Sequence, residues 1–476
     1  MVTLYLKGKG ESFMFAGRQK ELEKLESMYQ EDIFQFAVIY GRRRVGKTTL
    51  IAEFLKDKKA ISYISIEGTM KENLMGLSQA VLRGIAENTS IEDVVYPDFE
   101  NLFKNIDRLC KEQRVILAID EYPYLAASYP AISSILQKHI DTCWKNSNLF
   151  LILCGSSMSF MENQVLGYKS PLYGRRTAQF KIKPFTFFET REMLDGFSSE
   201  EQAVLYGVTG GVPEYLVKIK SPKSVDDNLK ELFFQDTGAL FEEPTNLLKQ
   251  EMREPASYHS IISAIASGAS KLNEIATKTG LESGACSNLM TSLIQIGIVE
   301  KERPITEKEN SRKTLYRLQD SMFLFWYRFV RPNITTISMG LGETVYETMV
   351  KPQLNSFMGS IFEEICRQYL YRPEIYRTLP FLFGKLGRWW GTNPKEKREE
   401  EVDIVALSDK QILLGECKWR NEKVDVKVLK TLVERGELLT YPEKYYYVFS
   451  KSGFEENVEE TAQQYGIRIV SFAEMV

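Results

Sequence analysis

Histidine is nearly missing from this chain: His139 and His259 are the only two in 476 residues. That argues against a His-based triad or an imidazole metal cage and leaves catalysis to carboxylates, lysine and arginine. Cysteine is sparse as well. Cys110, Cys143, Cys154, Cys286, Cys366 and Cys417 are scattered without a CxxC pair, which argues against a disulfide frame or a thiolate zinc site. They read as reduced thiols in a cytoplasmic protein. No apolar run reaches the ~18 residues needed to cross a bilayer, and the N-terminus shows neither the basic start nor the apolar core of a signal peptide. Neither sign of charge dominates: 61 Lys and Arg face 64 Asp and Glu, a net charge of −3. Any polyanion-binding surface must then be a local patch. Internal repeats and low-complexity tracts are absent too. What is present is a 43% hydrophobic composition, ample for buried cores, in a length that suggests about three or four domains of roughly 100–200 residues.

One stretch carries more chemistry than any other. Gly41-Arg42-Arg43-Arg44-Val45-Gly46-Lys47-Thr48 fits G-x-x-x-x-G-K-[ST]. The apolar, β-rich run Phe36 to Tyr40 precedes it, and Thr49 to Leu55 follows with helical spacing. Strand, loop and helix together are the setting a phosphate-binding loop requires. Gly41 and Gly46 are expected to let main-chain N–H groups close around a phosphate without a Cβ in the way. The helix directs its positive end at that phosphate. Lys47 is expected to reach the β- and γ-phosphates and the Thr48 hydroxyl to ligate Mg²⁺. The whole stretch from Gly41 to Thr49 is thus the expected ATP-binding segment.

Further apolar runs, Ala60 to Ile64, Val115 to Ile119 and Phe150 to Cys154, alternate with helical stretches, which predicts parallel βαβ units. Asp120 and Glu121 end one of these strands. Asp120 is placed to hold Mg²⁺ and Glu121 to polarise the attacking water, because metal and in-line water occupy adjacent positions. Ser156 or Ser157, at the tip of another strand, can hydrogen-bond that water or the γ-phosphate, or simply make the turn. Arg175 and Arg176 offer charge for the transferring phosphoryl group, in their own or a neighbouring subunit, or form a basic surface pair.

Phe15-Ala16-Gly17-Arg18-Gln19-Lys20-Glu21-Leu22, the loop, the Asp-Glu strand, Gly155-Ser156-Ser157, Tyr173 to Arg176 and Gly210-Gly211-Val212-Pro213 follow in this order. Together they resemble the archaeal-type ATPases of the AAA/STAND group over roughly the first half of the chain. The resemblance implies that Phe15 to Arg18, Gly17 and Arg18 included, lies near the adenine, that Gly210 to Tyr215 begins a helical lid, and that the ATPase works as a switch.

Residues 251–330 predict three helices and then two strands, Ile298 to Glu302 and Lys313 to Leu318, the pattern of a winged helix-turn-helix. The third helix carries Ser283, Ser287, Asn288 and Ser292 but no Lys or Arg. The basic residues Lys301, Arg303, Lys308, Arg312 and Lys313 cluster around the hairpin instead. DNA binding is expected, with protein packing as the alternative, since phosphate contacts dominate duplex affinity. In the last unit, Asp403 and Glu416 lie on two adjacent predicted strands and can meet at one Mg²⁺, with Glu363 of a preceding helix completing the site. Lys418 shares the face of Glu416 and would position water or stabilise charge on a phosphate. The run Lys395 to Glu401 reads as a solvated loop.

This last unit looks like the PD-(D/E)xK nuclease fold, though Val402 stands where the family name has Pro. It is also similar to a C-terminal domain of unknown function found fused to these ATPases. The fold class expected is α/β: a P-loop core (1–195), a helical lid (196–250), a winged helix (251–330) and a restriction-endonuclease-like domain (331–476). The expected activity is a Mg²⁺-dependent ATPase switch coupled to DNA and to a nuclease-like domain, with protein partners and oligomers open. A non-catalytic regulator using both modules as adaptors is the competing class. A small-molecule kinase fits less well, because it would not need either module.

Overall fold

The computed structural model describes residues 15–85, 95–252, 254–308, 311 and 313–476; the N-terminal start and Arg312 of the basic loop lie outside them. Two compact units divide the chain: Met1–Phe185 together with Val212–Val217, and Thr186–Gly211 together with Lys218–Val476. This partition is coarser than the expected four parts, and it assigns Val212–Val217 to the first unit. The physical reason is contact with the phosphate loop. The Glu214 N–H donates to the Arg44 carbonyl at 3.5 Å, and the Arg44 guanidinium lies 5.9 Å from the centre of the Tyr215 ring.

The first unit is built on five strands: β1 (Gln35–Tyr40), β2 (Ala60–Ile64), β3 (Val115–Asp120), β4 (Leu149–Gly155) and β5 (Ala178–Lys181). They lie in the order β2-β3-β4-β1-β5, and every pairing is parallel. Side chains alternate across such a sheet. Phe36 and Val38 of β1 and Leu117 of β3 enter one core with Phe99, Leu102 and Phe103 of the helix Phe99–Glu112. Ala37, Ile39 and Ala118 enter the other with Leu50, Ile51 and Phe54 of the helix Lys47–Leu55. A sheet covered on both faces explains why β1, β3 and β4 read as unbroken apolar runs; each fully buried large side chain contributes about 1.5–3 kcal/mol. The edge strand β5 escapes a sequence reading because it is four residues long and half polar.

In the second unit, helices Pro255–Ala266, Leu272–Thr279 and Ser283–Gln295 precede an antiparallel hairpin of β6 (Val299–Glu302) and β7 (Leu315–Leu318). A long helix, Leu354–Leu370, leads to a second sheet. Its strands are β8 (Lys385–Asn393), β9 (Arg398–Leu407), β10 (Gln411–Lys418), β11 (Glu443–Ser450) and β12 (Ile467–Ser471), in the order β12-β11-β10-β9-β8. β8, β9 and β10 run antiparallel, and β10, β11 and β12 run parallel. The expected solvated loop at Lys395 to Glu401 is corrected here. Arg398 to Glu401 open β9 and pair with Asn393 to Trp390 of β8. Their charges are tolerated because they are matched: Glu400 is buried but accepts from Arg398 and Arg435. Among the described residues, no helix is long and apolar enough to cross a membrane.

Candidate functional site

The loop from Gly41 to Thr48 joins β1 to the helix Lys47–Leu55, as its spacing predicts. Gly46 takes φ 89°, a left-handed conformation that side chains resist and glycine accepts. Gly41 meets a packing constraint that the spacing alone does not reveal. A Cβ there would fall 2.2 Å from the Ile182 carbonyl oxygen, so the chain leaving β5 by itself requires glycine at this position. The Lys47 side chain is buried, and its Nζ folds back to donate to the Arg42 carbonyl at 2.9 Å. Arg43 donates to the Tyr124 hydroxyl at 2.8 Å. Tyr124 is a contact no local pattern announces.

β4 separates β3 from β1, so Asp120 stands two strands, roughly 10 Å, from the loop. Thr48 spans that gap: its hydroxyl donates to Asp120 Oδ2 at 2.6 Å. The pair offers hard oxygen ligands beside the helix N-terminus, the donor type Mg²⁺ prefers. The other Asp120 oxygen accepts from the Glu121 N–H at 2.8 Å. Glu121 has φ 47°, a left-handed turn that carries its carboxylate away from the strand axis. Its Oε2 accepts from both the N–H and the hydroxyl of Ser156, at 3.1 and 2.8 Å. Ser156 therefore holds Glu121, while Ser157 makes the turn into the next short helix.

Four other expected residues, Gly17, Arg18, Arg175 and Arg176, have definite surroundings. The Arg18 guanidinium, buried 4.6 Å over the Phe185 ring, donates to the carbonyls of Val45 and Lys183. It braces the loop from behind. Gly17 beside it has φ 65°, and a Cβ there would meet the Phe185 ring at 2.6 Å. Arg175 is tied to Asp141 through Nε at 3.0 Å and to the carbonyl of Pro171 at 2.9 Å. That pairing, with Lys145, holds the Asp141 carboxyl down to about 2. Thr177, next to Arg176, bonds through its N–H to the Phe36 carbonyl near the start of β1, whereas the phosphate loop leaves the other end. Arg176 lies close enough to Tyr40, the last residue of β1 before the loop, for its charge to be felt there.

The second constellation does assemble. Gly415 pairs with Ile404 across β9 and β10, so Asp403 and Glu416 sit side by side at the next position. Both are buried. Asp403 Oδ2 accepts from the Cys417 N–H at 2.9 Å. Burial, reinforced by Glu416 and Glu363, pushes its pKa up to about 7. Glu416 accepts from Lys418 and, at 2.9 Å, from Arg435. Glu363 is paired with Arg367 and Arg388 at 3.4 and 3.6 Å. Among the described residues, no group of three or more His, Cys, Asp or Glu is arranged to hold a metal. The site is an Asp403–Glu416 pair with Glu363 engaged by arginines, not the ready three-carboxylate cage expected. Arg367, Arg388 and Arg435 are its unforeseen members; all three lie far in sequence from at least one partner, and no spacing signals them.

A raised carboxyl pKa has a defined consequence for stability. The folded state keeps a proton on Asp403 that the unfolded chain releases near its ordinary pKa, so stability falls as pH rises between about 4 and 7 and then levels. With divalent cations chelated, Asp403→Asn is expected to melt higher than wild type at pH 8. The gap should close as pH falls towards about 4, where Asp is protonated in both states. Thermal melts across pH check this; a pH-independent gap would contradict it.

Comparison with known proteins places these features. A family described as an ATPase domain predominantly from Archaea matches residues 15–219. A second, described as archaeal and bacterial proteins of unknown function, matches residues 326–429. An uncharacterized protein of Methanocaldococcus jannaschii is 34% identical over 446 residues, covering 92% of this chain and 96% of its own. An uncharacterized ATP-binding protein of Pyrococcus abyssi is 24% identical over 269 residues, 48% of this chain and 79% of its own. Among solved structures, the Walker-type ATPase of Pyrococcus abyssi aligns with a TM-score of 0.51 at 20% identity, over 66% of this chain and 96% of that one. It shares the fold.

Proposed function

Because the chain belongs to the family of archaeal-type ATPases that carry a C-terminal domain of unknown function, we propose that it is a Mg²⁺-dependent ATP-hydrolysing switch. The observation that carries this reading is the Thr48–Asp120–Glu121–Ser156 chain of hydrogen bonds at the mouth of the phosphate loop. Thr48 and Asp120 would hold the magnesium ion, whose role is to neutralise charge on the phosphates. Lys47 swings from the Arg42 carbonyl to the β- and γ-phosphates. Main-chain N–H groups from Arg44 to Thr48 take the remaining phosphate oxygens. Ser156 fixes one Glu121 oxygen and leaves the other to align a water and accept its proton. Gly17 and Arg18 frame the far side of the loop, nearest the base. Arg175 or Arg176 stabilises charge on the transferring phosphoryl group, in its own or a neighbouring subunit.

The downstream modules follow from the same reading. The three helices and hairpin of residues 255–318 form a winged helix whose exposed Lys301 and Lys308 meet DNA phosphates. The helix Ser283–Gln295 offers Ser283 and Asn288 in place of cations. The C-terminal sheet is a nuclease-like fold in which Asp403 and Glu416 would hold a divalent cation and Lys418 would stabilise charge on the scissile phosphate. A second reading is supported by the arginine and lysine contacts on Glu416: an inactive nuclease fold kept as an adaptor, with ATP as the only substrate. Two assays on the full chain separate them. Phosphate release from ATP should require Mg²⁺. Linear duplex DNA should be cut with Mg²⁺ by wild type and left intact by Asp403→Ala. Equal cutting by both proteins removes the nuclease reading, and absent phosphate release removes the ATPase reading.

A further inference from the structure

Arg388 of β8 stands where acidic side chains from three elements converge. Its guanidinium faces Glu302 of β6 at 3.7 Å, Glu363 of the helix Leu354–Leu370 at 3.6 Å and Glu401 of β9 at 3.3 Å. The main chain repeats the connection: the Ile305 N–H, just past β6, donates to the Arg388 carbonyl at 2.9 Å. The Ile305 side chain packs against the core of the C-terminal sheet. The hairpin is therefore docked on the edge strand β8. Beyond Glu363 the chain of charges continues. Arg367, almost wholly buried, reaches Glu363 and the Asp403 carbonyl, both at 3.4 Å. An unbroken path of contacts runs from Glu302 through Arg388, Glu363 and Arg367 to the Asp403–Glu416 pair.

The geometry at Glu363 gives this path a direction. Both arginines contact the same oxygen, Oε2. A guanidinium on that oxygen supplies the positive charge that a divalent cation would otherwise supply, so the two compete. Glu302 competes in turn with Glu363 for Arg388, because one planar guanidinium shared among carboxylates cannot optimise every pair. Glu302 is itself held from the other side by Arg317 at 3.1 Å.

We propose that Arg388 is a positioning residue through which the hairpin, by way of the neighbouring Glu363 charge, sets the divalent-cation affinity of the Asp403–Glu416 pair. While Glu302 engages Arg388, Glu363 is relieved of part of its positive partner and offers more negative charge to a cation. When the hairpin contact is lost, Arg388 settles on Glu363 and the affinity falls. The inference rests on the cation-binding reading of Asp403 and Glu416.

Titration calorimetry with Mn²⁺ on the full, nucleotide-free chain tests it. The signal assigned to this site is the part lost in Asp403→Asn. Arg388→Gln is expected to tighten that binding about tenfold, the scale of one near charge removed from a partly buried site. Glu302→Gln is expected to weaken it severalfold. In the double variant Glu302→Gln, Arg388→Gln, the Glu302 change should have no further effect, because it acts only through Arg388. A general loss of structure would shift both single variants the same way, and melting curves check that each is folded. Should Arg388→Gln not fold, Glu302→Gln alone still decides the matter: unchanged Mn²⁺ affinity overturns the inference and leaves the carboxylate site standing. If wild type shows no Asp403-dependent Mn²⁺ binding, the cation-binding reading falls, and this inference falls with it.

Discussion

Glu121→Gln is expected to bind ATP as tightly as wild type and to hydrolyse it roughly 10²–10⁴-fold more slowly, the usual contribution of a positioned base. The structure makes this a clean substitution. Glu121 contributes to the fold by accepting two hydrogen bonds on Oε2 from Ser156, and a glutamine carbonyl oxygen can accept both. What glutamine cannot do is take a proton from water at the other oxygen. Single-turnover phosphate release, read beside equilibrium ATP binding, separates the two properties. Hydrolysis within a few-fold of wild type would remove Glu121 from the mechanism and leave the phosphate loop untouched. Ser156→Ala should fall between the two proteins, since it frees the Glu121 carboxylate without deleting it.

Lys47→Ala acts one step earlier. The lysine is the cation that the loop itself sends to the β- and γ-phosphates, and its side chain is already buried against the Arg42 carbonyl. Its removal deletes charge-assisted hydrogen bonds worth about 1.5–3 kcal/mol each. ATP affinity is therefore expected to fall by roughly 100-fold, since each 1.4 kcal/mol is a factor of about ten. The stabilisation of wild type by MgATP at a hundred times its Kd, about 2.7 kcal/mol, should shrink to about 0.4 kcal/mol in the variant at the same concentration. The fold should survive, because the cost of losing the Arg42 contact is that of a single hydrogen bond at the end of a loop that Arg18 and Val45 still brace. Wild-type ATP affinity in a folded Lys47→Ala protein would reject the nucleotide site.

The part of the candidate sites that a sequence shows is the part encoded in consecutive residues. Strand, glycine loop, lysine, threonine and helix stand in one run of about twenty residues, and their chemistry depends on backbone conformation there. The same holds for Asp120 and Glu121, which close a strand apolar on both faces. Asp403 and Glu416 were legible for a related reason: a short hairpin fixes register, and register brings the two positions together. Strands β5 and β8 were not legible. Each is an edge strand, short or rich in Gly and charge, so neither shows the apolar run of a strand buried on both sides.

Local spacing determined where a phosphate can be gripped and which carboxylates stand beside it, because a turn, a helix start and a strand end are set by neighbours in the chain. Tertiary packing alone decided the rest. It drew Thr48 onto Asp120 across 72 residues, Ser156 onto Glu121 across 35, and Arg435 onto Glu416 across 19. It made Gly41 a matter of clearance from Ile182, turned Arg175 towards Asp141, and set Arg388 between a hairpin and a carboxylate site. Charges and hydroxyls of this kind choose partners by distance in the folded molecule, and that distance is fixed by which apolar faces had to be buried together.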